Sequence, residues 1–125
     1  MTQDVINNVY KCVEKYLPKK WKNLALYFLF SGNMVLRKFY VDEGAGFKDC
    51  FNMGYDKSTL RQIFYAIEDI LYQEREKLSS TKRWNVFSLF VDSEGKFELN
   101  LEYDDVSETF IEHQEQWESV YINNN

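Results

Sequence analysis

Residues 84–103 read WNVFSLFVDSEGKFELNLEY, and no other stretch limits the fold so strongly. Two strand-like runs flank Asp92, Ser93, Glu94 and Gly95. In the second run Phe97, Leu99, Leu101 and Tyr103 share one face, while Lys96, Glu98, Asn100 and Glu102 share the other. A side-chain period of two is what a strand with one dry and one wet face requires. Gly95 supplies the permissive backbone of a tight connection. The pattern predicts a β-hairpin whose apolar face the rest of the chain must cover.

The remaining elements follow from periodicity and punctuation. Residues 2–17 carry Val5, Val9, Val13 and Tyr16 at helical spacing, with Ile6, Tyr10 and Leu17 alongside, and Pro18 is expected to end that helix. Lys11 and Lys15 sit near its C-terminus, where the dipole favours cations. Cys12 reads as a small core or boundary residue. Residues 21–30 are apolar on both faces, as a central strand should be. Ser31-Gly32-Asn33 is a turn signal, and residues 34–41 return as a second strand with Arg37 interrupting one face and Lys38 the other. Residues 47–51 are expected as a short third strand.

A long helix over 57–78 presents Leu60, Ile63, Phe64, Ile67, Ile70, Leu71 and Leu78 as one stripe, with Asp56 or Ser58 as its cap. After the hairpin, a final helix is expected over 107–120, packing through Phe110, Trp117 and Tyr121. Asp105 and Glu108 stand three apart, like a capping box. Residues 123–125 should fray. The order α-β-β-β-α-β-β-α predicts an α+β fold: a single antiparallel sheet of about five strands packed against helices, formed by one domain over residues 1–125.

Charge and cysteine usage narrow the function classes. Residues 1–80 hold 12 Lys/Arg and 10 Asp/Glu, whereas residues 81–125 hold 3 and 10. The formal charge of −5 argues against a direct nucleic-acid binder, which usually shows a basic face. The acidic end is either a solvated surface or one that attracts a basic partner. Only Cys12 and Cys50 are present and the N-terminus lacks an apolar leader, which together point to a reducing cytoplasmic setting. No run approaches the roughly 20 apolar residues that span a membrane.

Nothing in the chain forms a recognisable catalytic or metal-binding motif. His113 is the sole histidine, flanked by Glu112 and Glu115, and reads as a surface or boundary residue. Gly44-Ala45-Gly46 lacks the Lys-Ser/Thr of a phosphate loop and reads as a turn. No catalytic residue, cofactor or metal site is expected. Glu98, Glu102, Asp104, Asp105, Glu108 and Glu112, interleaved with Tyr103, Phe110, Trp117 and Tyr121, are the candidate partner-binding residues. Carboxylates speed capture of a basic partner, and desolvated aromatics hold it. Phe110 and Trp117 read first as core.

Four segments in order resemble the YezG-like immunity proteins of bacterial polymorphic toxins. They are LPKKWKNLALYFLF (17–30), IFYAIEDILYQERE (63–76), RWNVFSLFVDSEGKFELNLEYDD (83–105) and WESVYI (117–122). The segment 42–55 has no counterpart in this resemblance. The likeness implies an α+β cytoplasmic antitoxin that silences a cognate toxin, commonly a nuclease, without catalysis of its own. The reading this leads to is occlusion of the toxin in a 1:1 complex, and the likeness leaves open contact-dependent growth inhibition or another delivery route. Two other readings stand beside it: an adaptor or chaperone-like module for a non-toxin protein, and a small-molecule-binding domain centred on His113 or Arg37.

Overall fold

The computed structural model describes residues 1–123. Its elements are α1 (Gln3–Glu14), β1 (Asn23–Ser31), β2 (Met34–Asp42), β3 (Phe47–Asp49), a 3-10 turn (Cys50–Asn52), α2 (Lys57–Glu76), β4 (Val86–Asp92), β5 (Phe97–Glu102) and α3 (Phe110–Tyr121). The five strands form one open antiparallel sheet in the order β3-β2-β1-β4-β5. This is the α+β arrangement that the hairpin and the helical stripes predict.

β1 lies at the centre, which explains its two apolar faces. Leu24, Leu26, Phe28 and Phe30 join the core under α1 and α2. Ala25, Tyr27 and Leu29 join a second core under α3. The sheet is therefore a middle layer, with α1 and α2 on one side and α3 on the other. In α2, Leu60, Ile63, Phe64, Ile67 and Leu71 are buried. Burial of each such side chain contributes roughly 1.5–3 kcal/mol.

The hairpin forms as expected. Asp92 Oδ1 accepts the N–H groups of Glu94 at 2.9 Å and Lys96 at 3.0 Å, and Gly95 takes φ +91°. Phe97, Leu99 and Leu101 pack on the α1/α2 core. Tyr103 departs from the expected apolar face: it lies beyond the end of β5 and is 58% exposed. The opposite face of β5 also differs from an open wet surface, because α3 covers part of it and reaches Glu102.

Several boundaries shift for local reasons. α1 ends at Glu14 rather than Leu17, since Tyr16 N–H bonds Val13 C=O and Leu17 N–H bonds Glu14 C=O in tightened turns. Pro18 therefore follows the helix end instead of causing it. Asp56, not Ser58, caps α2 by accepting Thr59 N–H at 2.7 Å. α2 stops at Glu76, short of the expected 78. Arg83 Nε donates to Arg75 C=O and Leu78 C=O, which serves the open carbonyls there. β3 has only three residues, because Asp49 Oδ1 accepts Phe51 N–H and turns the chain while Cys50 is buried.

The capping box expected for the last helix does not form. α3 begins at Phe110 after Thr109, which makes no side-chain cap bond. Asp105 instead accepts Ser107 N–H at 2.9 Å in the turn ahead of it. Of the residues expected to fray, Asn123 donates its N–H to Glu118 C=O at 2.8 Å, and positions 124 and 125 lie outside the described residues.

Candidate functional site

The six candidate carboxylates occupy the outer strand β5 and the segment that carries it into α3. Glu98 and Glu102 lie four residues apart on β5, about 13 Å along an extended chain. Asp104, Asp105 and Glu108 are exposed on the connection, and Glu112 is exposed in the first turn of α3. Thus Glu102 to Glu112 gather where β5 hands over to α3, while Glu98 stands apart toward the hairpin turn. No Lys or Arg follows Lys96 in the chain. Among the described residues, none of the six makes an ion pair with Lys or Arg. The path of the connection is held by Asn85 Nδ2, which donates to Tyr103 C=O and Asp104 C=O.

Beneath the acidic segment runs a polar relay that sequence reading missed in part. Tyr27 Oη lies 2.8 Å from His113 Nδ1, and His113 Nε2 lies 2.8 Å from Glu102 Oε1. Burial, followed by the Glu102 and Glu118 carboxylates, raises the Tyr27 pKa well above its ordinary value, so the phenol keeps its proton. One tautomer satisfies both contacts, with His113 Nε2–H donating to Glu102 Oε1 and Nδ1 accepting the Tyr27 O–H. The relay ties α3 to the central strand and to the edge strand at once. His113 is thus a boundary residue, as its surroundings in the chain imply. Tyr27 carries no local signal for this role, since it is separated from His113 by 86 positions.

A second polar group anchors the other end of α3. Glu118 Oε2 accepts Tyr40 O–H at 2.8 Å and lies 3.4 Å from Lys38 Nζ, which also meets Asp49 at 2.7 Å. Burial opposes the charge on Lys38, but Asp49 and Glu118 outweigh it and raise its pKa. Burial and the hydrogen bond to Glu118 likewise raise Tyr40. Between the two anchors Trp117 is 4% exposed, packed on Tyr27, Tyr40, Phe90 and Tyr121. Trp117 is core, and Phe110 packs partly buried on the same cluster. Tyr103, Tyr121 and the unforeseen Ile111, 55% exposed, remain at the surface.

Both ring nitrogens of His113 are within hydrogen-bond distance of a partner, Tyr27 on one side and Glu102 on the other. Among the described residues, no three His, Cys, Asp or Glu side chains are placed to hold a metal ion. Arg37, the other residue expected to seat a small molecule, is engaged by Glu68 Oε1 at 2.8 Å. No helix among the described residues is long and apolar enough to cross a membrane. Neither a scan against protein-family models nor a search of curated proteins gives a match to this chain.

Proposed function

We propose that this chain is a cytoplasmic immunity protein that binds a basic toxin domain, a nuclease above all, and covers its active cleft in a 1:1 complex. The observation that carries this reading is the segment 102–112. Glu102, Asp104, Asp105, Glu108 and Glu112 lie there with no Lys or Arg ion pair among the described residues, beside the exposed side chains of Tyr103 and Ile111. Carboxylates compete for a cleft shaped for phosphates, and exposed apolar groups among them supply area to desolvate. The resemblance to YezG-like proteins supports the same class. The relay through Glu102, His113 and Tyr27 holds the segment's base in place, so binding need not order it first. Inhibition by occlusion assigns no catalysis to this chain.

The test is to identify the gene beside this chain's and, where it encodes a large secreted protein, to co-purify and measure by calorimetry the binding of that protein's C-terminal domain. A stable 1:1 complex is expected, weakened about tenfold or more when Asp104, Glu108 and Glu112 are replaced by Lys. Affinity should fall as NaCl rises, because the contact is charged and exposed. Absence of any complex at micromolar concentration would remove the proposal.

A further inference from the structure

β3 covers only one end of β2: its three residues pair with Tyr40, Val41 and Asp42. The 3-10 turn at Cys50–Asn52 then carries the chain off the sheet, so the line β3 would have continued is open. In the β1–β2 ladder the hairpin pair Ser31 and Met34 sets an alternation in which Val35 and Arg37 turn their N–H and C=O groups outward. Among the described residues, neither outward pair has a hydrogen-bond partner. Natural edges are commonly blunted by charged side chains. Here Arg37 and Lys38 are drawn away, to Glu68 and to Asp49 and Glu118 respectively.

Between this edge and α2 lies an open depression of about 530 Å³. Phe51 and Tyr65, 59% and 52% exposed, flank it, with Leu60 and Phe64 at its floor. Lys57 and Arg61 stand on the α2 side, and neither has an ion pair among the described residues. An unpaired backbone edge, an apolar trough and two unmatched cations together describe the complement of one kind of ligand.

We propose that the edge of β2 at residues 34–38 receives an extended acidic segment of another protein as an added antiparallel strand. Backbone bonds to Val35 and Arg37 would give affinity, and alternate apolar side chains of the incoming strand would enter the trough. The positions that face the trough would carry its carboxylates as well as its apolar side chains, and the carboxylates would meet Lys57 and Arg61. This surface has the opposite charge character to the segment 102–112, so it is a second docking surface and does not rest on the toxin reading.

The probe is a blocked nine-residue peptide with Val, Glu, Phe and Glu at alternate positions and Thr between them, with a Lys-for-Glu peptide as control. Amide exchange by NMR on the full chain should show the Val35 and Arg37 N–H groups slowed by the acidic peptide alone. The Lys57→Glu, Arg61→Glu double variant should bind it about tenfold more weakly or worse, with an unchanged urea midpoint. Two results would overturn the proposal. One is failure of the acidic peptide to slow these amides at millimolar concentration. The other is equal protection without peptide that grows with protein concentration, which would make a second copy of the chain the occupant.

Discussion

Single residues set the turns on which the sheet depends. Asp42 closes the β2–β3 connection: Oδ1 accepts Gly44 N–H at 2.7 Å and Gly46 N–H at 3.1 Å, and Oδ2 accepts Asn23 Nδ2 at 2.9 Å. Burial disfavours its charge, but these three bonds and nearby Lys22 hold its pKa below the ordinary carboxylate value. A pKa lower in the folded state means the unfolded chain binds the proton more readily. The stabilisation is therefore complete above the unfolded value near 3.8 and is lost as pH falls through the folded one. Asp42→Asn keeps the shape and removes the charge. It should cost on the order of 0.5 kcal/mol at pH 7 and less at pH 2, measured by urea unfolding. An equal cost at both pH values would assign the effect to geometry instead of charge. The aspartates at 42, 92 and 105 all serve turns in this way, and only the first two are followed by the glycines that make a turn readable.

At the scale of elements, α3 is the one whose role was hardest to read. Its exposed side carries Ile111, Val120 and Tyr121, so its apolar residues do not form one clean stripe. Its place is set by Trp117 and by the two polar anchors through His113 and Glu118. Trp117→Ala should cost about 3–5 kcal/mol in urea unfolding. Amide exchange should then show α3 losing protection before β1 does. A cost below about 1 kcal/mol would mean that α3 is not part of the cooperative core. The start of α3 was misread because Asp105 and Glu108 match a capping pattern that the turn at Ser107 takes for itself. α1, α2 and the hairpin were legible because each has a repeating apolar face that one packing partner satisfies.

For the whole molecule, a sheet covered on both sides predicts unequal reactivity of its two thiols. Cys12 is half-buried on α1, whereas Cys50 is fully buried and burial, the largest influence on it, pushes its pKa up to about 12. Iodoacetamide should modify Cys12 in the native protein and reach Cys50 only at the rate of global unfolding. Native labelling of Cys50 as fast as Cys12 would show that the segment after β3 opens by itself. The sequence alone determined the element order, the central place of β1, the hairpin and the acidic bias of the last third of the chain. Those are consequences of spacing and composition along the chain, where neighbours within a few residues decide the outcome. Only the tertiary structure decided that the second sheet face is covered and that Tyr27 and His113 brace Glu102. It alone showed that the acidic residues gather at the entry to α3 while β2 keeps an open edge. These depend on which segments meet across the sheet, and residues 86 apart leave no periodic trace of each other.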